Sequence, residues 1–233
     1  MGRSFSEVFN RKPIIGMIHL AGSDREEKVK RALREIGVYQ EEGLGGVIIE
    51  DYHGDFEDLY QTLRESSKEG LKIARGINVL RNPYSAFELA SDFGAEFVQF
   101  DNVQEGSHDF SLYEFLRKKY PEVTVLGGVR FKYTESTGNS LEEDLEYGKA
   151  RCEAIVTTGT GTGIETPLEK LSAFKELMGD FPLVVGAGVN SANVYEQMQV
   201  CDGAIVGSYF KEYNTLGIVQ RSRIRELVNA LAH

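Results

Sequence analysis

Short apolar runs rich in β-branched residues alternate with longer amphipathic stretches eight times along this chain. The runs begin about 27 residues apart, which leaves room for one strand, one helix and two short loops. Such a repeat is typical of βα units in a parallel sheet, and no linker-like segment interrupts it. The runs are residues 13–20, 46–51, 74–80, 96–101, 123–132, 153–158, 183–186 and 203–207.

Eight βα units can form an open doubly wound sheet or close into a barrel. The regular spacing favours closure, and so does a final amphipathic segment, residues 216–232, which can pack back on the first strand. The sequence therefore predicts the α/β class and a TIM-type (β/α)8 barrel. A single domain is expected to span residues 1–233.

Composition excludes several other classes of protein. The formal net charge of −10 argues against nucleic acid as a partner. No stretch approaches the ~18–20 apolar residues that cross a bilayer, so no transmembrane segment is expected. Cys152 and Cys201 are too few for a disulfide framework, and the expected compartment is therefore the reducing cytoplasm.

Polar residues gather where the predicted strands end, which is where barrels of this type carry their active sites. On the fifth run, the period of two places Leu126, Gly128, Arg130 and Lys132 on one face. The same alternation allows an inner-face position for a further set of polar residues. These are His19, Glu50, Asn78, Gln99, Asp101 and Thr157.

Four of these residues are the candidate catalytic groups. Glu50 and Asp101 would act as acid or base, while Arg130 and Lys132 would stabilise a developing oxyanion or carry the proton. A Schiff base at Lys132 is an alternative chemistry. His19, Asn78 and Arg81 are predicted as further residues of the barrel mouth. The purely structural alternative is that such side chains pair across the rim, Glu50 with Arg81 and Asp101 with Arg130.

Glycine-rich loops follow the last three predicted strands. Residues 157–163 read Thr-Thr-Gly-Thr-Gly-Thr-Gly, which fits neither the dinucleotide fingerprint nor a Walker loop. Glycine lets backbone N–H groups approach an anion closely, and barrels commonly bind phosphate after strands seven and eight. The alternative is that these glycines only turn the chain. The predicted phosphate-binding residues are Thr158, Thr160, Gly161, Thr162, Gly163, Gly186, Gly188, Gly207 and Ser208.

Six segments resemble the BtpA/SgcQ family, whose name comes from photosystem I biogenesis. They are KPIIGMIHL at residues 12–20, VIIED at 47–51, GINVLRN at 76–82, IVTTGTGTG at 155–163, VGAGV at 185–189 and DGAIVGSYFK at 202–211. The resemblance implies a TIM-type barrel with a phosphate-like site. Strand five departs from the family pattern Asp-Val-His-Val-Lys-His, because this chain has Gly-Val-Arg-Phe-Lys-Tyr at residues 128–133. The chain therefore resembles a divergent member of the BtpA/SgcQ family.

Two classes of function follow from these features. The first is an enzyme that acts on a phosphorylated small molecule, a sugar phosphate or nucleotide-like compound, by isomerase, epimerase or lyase-type acid–base chemistry. The second is a non-catalytic assembly or sensor protein that retains the barrel and the anion site. No cofactor is firmly indicated, but Glu50, Asp51 and Asp101 would supply oxygen ligands for magnesium. A homo-oligomer is compatible with this composition.

Overall fold

In the computed structural model, residues 3–104 and 109–231 are described, and they contain eight parallel strands closed into one barrel. Each strand pairs with the next in chain order, and β8 pairs with β1. Every strand falls within one of the predicted runs, so the (β/α)8 barrel is confirmed. The strands are β1 Ile14–Ile18, β2 Gly46–Glu50, β3 Ala74–Asn78, β4 Phe97–Phe100, β5 Thr124–Gly128, β6 Ala154–Thr158, β7 Leu183–Gly186 and β8 Gly203–Val206.

Helices form the outer layer of the barrel. A short first helix, α1 Phe5–Val8, precedes β1, and Phe5 packs on Phe9, which in turn contacts Phe97 inside the amino end of the barrel. The other helices are α2 Arg25–Glu41, α3 Phe56–Ser66, α4 Ser85–Phe93, α5 Phe110–Lys119, α6 Leu141–Lys149, α7 Leu168–Met178, α8 Val194–Val200 and α9 Arg221–Ala230. No helix in the described part of the chain is long and apolar enough to cross a membrane.

Strand side chains alternate between two apolar cores, because successive residues of a strand point to opposite faces. Ile15 and Met17 of β1 belong to the core inside the barrel, and this parity directs His19 inward as predicted. On β6, Val156 packs inside the barrel and Ile155 packs in the layer between strands and helices. The same alternation therefore directs Thr157 outward, so its predicted inner-face position is wrong.

Candidate functional site

The carboxyl ends of the strands surround a narrow cavity with a volume of about 50 Å³, termed here the mouth cavity. This volume accommodates a group of a few heavy atoms, so a larger ligand would extend out of the barrel. The predicted site residues that line the mouth cavity are His19, Glu50, Lys132, Thr162, Gly163, Gly186, Gly188, Gly207 and Ser208.

Asn78 joins the two predicted acid–base residues at one side of the cavity. Its Nδ2 donates to Glu50 Oε1 at 2.8 Å and to Asp101 Oδ1 at 3.0 Å. Gln99 Nε2 donates to the same Asp101 oxygen at 2.8 Å. Three consecutive strands, β2, β3 and β4, thus hold two carboxyl groups in one hydrogen-bonded set. The partners of Glu50 and Asp101 are amides, not the arginines of the rim-pairing alternative.

The protonation of Glu50 differs from that of an ordinary glutamate. Its pKa is raised to about 8, chiefly because the side chain is buried and then because the Asp101 charge lies nearby. The positive charge of Lys132 and the hydrogen bond from Asn78 act in the opposite direction. Glu50 therefore carries a proton at neutral pH and can exchange it within the physiological range, as a general acid or base must.

Glu50 also makes the stability of the fold depend on pH. Its pKa in the folded state, about 8, lies above the ordinary value of 4.5, so the folded protein binds this proton more tightly than the unfolded chain. That contribution is fully present below the ordinary pKa and is lost as the pH rises through the folded-state value. Relative to the variant Glu50→Gln, the wild-type free energy of unfolding should fall by a few kcal/mol between about pH 5 and about pH 9.

Urea unfolding of the two proteins at a series of pH values measures this difference. Taking the difference from the variant removes most of the contribution of the other titrating groups. Parallel pH profiles for the wild type and Glu50→Gln would contradict the raised pKa.

Arg130 and Lys132 do not share the mouth, which corrects the prediction for strand five. Strand β5 ends at Gly128, and Arg130 takes a left-handed backbone conformation with φ of 46°. The alternation of an extended strand no longer applies beyond that point. Arg130 Nε donates to Asp144 Oδ2 at 2.8 Å, on the outer helix α6, whereas Lys132 lines the mouth cavity. Arg130 is therefore removed from the candidate catalytic set.

The loops after β6, β7 and β8 converge as the glycine pattern predicts. A Cβ atom on Gly163 would lie 3.1 Å from Ser208 Oγ, which brings the β6 loop against the β8 loop. Gly188 has φ of +68°, and a Cβ there would lie 2.3 Å from the backbone of Glu165. These contacts require glycine at residue 188 and place the backbones of all three loops around the cavity.

Part of the predicted phosphate set lies elsewhere. The buried Thr158 hydroxyl accepts a hydrogen bond from the Lys132 backbone N–H at 2.6 Å and donates to the Gly159 carbonyl, so it joins two loops. Thr160 is exposed outside the cavity, and Gly161 lies against Ile164 and the Tyr133 hydroxyl. These three positions are corrected: they do not line the mouth cavity. Of the other predicted mouth residues, Asn78 is buried in the acidic set and Arg81 is exposed.

The three carboxylates considered for magnesium do not form one ligand set. Asp51 follows Glu50 directly, so its side chain leaves the chain on the opposite face, where Oδ1 accepts a hydrogen bond from the Leu80 backbone N–H at 2.8 Å. Across residues 3–104 and 109–231, no three histidine, cysteine, aspartate or glutamate side chains are grouped to hold a metal ion. The Glu50, Asp51 and Asp101 magnesium hypothesis is therefore not supported by the geometry.

Two polar groups at the cavity have no predicted role from sequence. Gln99 lines the cavity, and its Oε1 is buried without a hydrogen-bond partner among the described residues. Lys211 is 1% exposed and lies directly behind His19. Strand alternation placed Gln99 on the inner face, but only the fold shows its free acceptor. The sequence gives no sign that Lys211 is buried. It follows β8 in a glycine-containing loop, and such loops usually lie on the protein surface.

Comparison with known proteins identifies the family. The sequence profile of the BtpA family matches residues 10–233. This chain belongs to the BtpA family. A relative from Pyrococcus horikoshii is 30% identical over 96% of this chain and 98% of its own length. The photosystem I biogenesis protein BtpA of Synechocystis is 24% identical over 98% of this chain and 91% of its own. The SgcQ protein of Escherichia coli is 24% identical over 70% of this chain and 66% of its own.

Solved structures with the same fold are more distant from this BtpA-family chain. N-(5′-phosphoribosyl)anthranilate isomerase from Pyrococcus furiosus has a TM-score of 0.63 and 16% identity, covering 95% of this chain and 99% of its own. Thiamine phosphate pyrophosphorylase from the same organism has a TM-score of 0.64 and 15% identity, covering 97% and 98%. At these identities the comparison shows a shared fold.

Proposed function

We propose that this BtpA-family protein is an enzyme that acts on a phosphorylated small molecule by acid–base chemistry. One observation carries the proposal: three glycine-bearing loops and a buried carboxyl, Glu50, face the same mouth cavity. The loops would offer backbone N–H groups to a phosphate, as loops after strands seven and eight commonly do in such barrels. Glu50 offers a proton-transfer group whose pKa lies near physiological pH.

Several residues at the cavity would take part in such a reaction. The backbone around Gly188, Gly207 and Ser208 would hold the phosphoryl group. Lys132 lines the same cavity and supplies a positive charge, which would stabilise a developing oxyanion. Glu50 would move a proton to or from the bound substrate, and Asn78 would hold its carboxyl in place through the 2.8 Å hydrogen bond. This chemistry belongs to the isomerase, epimerase and lyase classes.

The neighbouring folds support the choice of substrate class. Two proteins that share this barrel are named for phosphorylated compounds, a phosphoribosyl anthranilate and thiamine phosphate. A phosphoryl group also matches the small volume of the cavity, about 50 Å³, and the rest of the substrate would extend out of the barrel. The proposed substrate is therefore a sugar phosphate or a nucleotide-like compound.

Gly207→Ala should weaken the binding of phosphorylated ligands about tenfold or more. The added Cβ would lie 3.0 Å from His19 Cε1 and 3.3 Å from Met17 Cβ, so the methyl group crowds the cavity edge. Gly207 has φ of −120°, which is outside the left-handed region that disfavours a Cβ atom at Gly188. Isothermal titration calorimetry with a panel of sugar phosphates and nucleotides measures the affinity.

Gly203→Ala is the matched control, because Gly203 begins the same strand at the other end of the barrel. Its added Cβ would meet Pro13 Cδ at 3.2 Å, a similar crowding far from the cavity. We expect this variant to keep wild-type affinity. Equal affinity of Gly207→Ala and Gly203→Ala would place the ligand elsewhere, and failure of the wild type to bind any phosphorylated compound would refute the substrate class.

A further inference from the structure

A buried chain of charged groups lies behind His19 at the base of the mouth cavity. Lys211 Nζ lies 3.1 Å from His19 Nδ1 and 3.4 Å from Glu35 Oε2. Glu35 also accepts a hydrogen bond from Arg31 Nε at 2.9 Å. Lys211 is 1% exposed and Glu35 is 3% exposed, so this ion pair is held within the protein and not at its surface. His19 follows β1, Glu35 and Arg31 lie on α2, and Lys211 lies in the turn after β8.

This geometry determines which nitrogen of His19 carries the proton. A lysine ammonium group has three donors and no lone pair, so His19 Nδ1 must accept the hydrogen bond from Lys211. The neutral imidazole then carries its proton on Nε2. Glu35 supports the charged form of Lys211, because its carboxylate lies beside the ammonium group.

The charges around the ring keep His19 neutral. Its pKa is lowered well below the ordinary value, first by burial and then by the positive charge of Lys211, with smaller effects from His53, Lys132 and Arg31. Burial lowers the pKa of Lys211 to about 8, while the charge of Glu35 raises it and the charge of Arg31 lowers it. At neutral pH the lysine therefore remains mostly charged and the histidine remains neutral.

The other edge of the imidazole ring faces the mouth cavity. A Cβ atom built on Gly207 would lie 3.0 Å from His19 Cε1 and 3.3 Å from Nε2. That edge thus borders the glycine loop to which the phosphoryl group is assigned. The ring is held in this orientation by Lys211 on one side and by Tyr52, whose ring centroid lies 5.3 Å away.

We propose that His19 donates a hydrogen bond to the substrate through Nε2–H and that Lys211 is the positioning residue that fixes this tautomer. The identity of the acceptor, a phosphate or oxyanion oxygen, rests on the proposed function. The tautomer itself is a property of the free protein. A neutral donor stabilises a negatively charged oxygen without transferring its own proton, so Glu50 remains the group that exchanges protons.

Nitrogen-15 NMR of protein labelled at histidine tests the tautomer directly, with His19→Asn used to assign the resonances. In the wild type at neutral pH, we expect Nδ1 of His19 to be unprotonated and Nε2 to carry the proton. Lys211→Met removes the donor and the charge while preserving the length of the side chain. In that variant, the neutral ring should populate both tautomers and the pKa of His19 should rise.

Lys170→Met is the matched control. Lys170 also has a pKa lowered to about 8 by burial, but it donates to the carbonyls of Arg130 and Thr158 and not to His19. This variant should leave the His19 spectrum unchanged. A proton on Nδ1 of His19 in the wild type would overturn the proposal whether or not Lys211→Met folds. So would a His19 tautomer and titration in folded Lys211→Met that match the wild type.

Inorganic phosphate is the probe for the acceptor. Its addition should shift the Nε2 resonance of His19 in the wild type, and Lys211→Met should bind it about tenfold more weakly. His19 could show the expected tautomer and yet not respond to phosphate or to any phosphorylated compound of the panel. That result would overturn the donor role of His19 and the proposed function, while the positioning role of Lys211 would stand. The two failures are therefore distinguishable.

Discussion

Glu50→Gln should lower the turnover of the phosphorylated substrate by about a thousandfold or more, which is within the usual contribution of a general acid or base. Glutamine has nearly the same shape as glutamate. It keeps an oxygen that can accept the hydrogen bond from Asn78, which is 2.8 Å long in the wild type. It cannot exchange a proton, however, so the chemical step loses its transfer group. Affinity for the substrate should change only a few-fold, because phosphate binding depends on the glycine loops. Single-turnover kinetics and calorimetry on the substrate found in the ligand panel separate the two effects.

Glu96→Gln is a suitable control for the same chemical change. Glu96 accepts a hydrogen bond from the Arg75 backbone N–H at 2.8 Å, at the opposite end of the barrel from the mouth cavity. This variant should retain wild-type turnover. Turnover within tenfold of the wild type in Glu50→Gln would remove Glu50 from the proposed mechanism.

Gly188→Ala should destabilise the protein by about 3 kcal/mol or more. Two costs act together at this position. The backbone has φ of +68°, a left-handed conformation that disfavours any Cβ, and the added Cβ would lie 2.3 Å from the backbone N and Cα of Glu165. Backbone atoms cannot move aside as the end of a flexible side chain can. Denaturant unfolding monitored by circular dichroism measures the loss.

Gly70→Ala separates the two costs. Gly70 has φ of +58°, but a Cβ added there meets nothing within 4 Å. Its substitution should therefore show the backbone cost alone, about 1–2 kcal/mol. If Gly188→Ala is no more destabilising than Gly70→Ala, the β6 and β7 loops do not pack as described. Because Gly188→Ala is expected to destabilise the fold itself, ligand binding is better tested at Gly207.

The barrel could be predicted from sequence because its signal is local and repeated. A parallel strand that is buried on both faces needs a run of β-branched and apolar residues, and each helix between strands needs a longer amphipathic stretch. The same period of two correctly placed His19, Glu50 and Gln99 inside the barrel, since each lies on a regular strand or directly after one. Convergence of the glycine loops followed from the strand order.

Arg130 shows where this reasoning stops. Alternation predicts a side-chain direction only while the backbone remains extended, and β5 ends two residues before Arg130. The left-handed turn at Arg130 redirects its guanidinium to Asp144 on α6, while Phe131 enters the core inside the barrel. Nothing within the strand-five sequence marks that turn, because arginine rarely adopts a positive φ.

The order of the eight strands, the closure of the barrel and the end that carries the polar residues were therefore determined by the sequence alone. Only the tertiary structure decided which polar residues meet and in what protonation state. Lys211 and His19 are 192 residues apart in the chain and 3.1 Å apart in the fold. The raised pKa of Glu50 likewise depends on burial and on Asp101 from another strand. Such properties arise from solvent exclusion and from charges brought together by folding, and no local pattern encodes them.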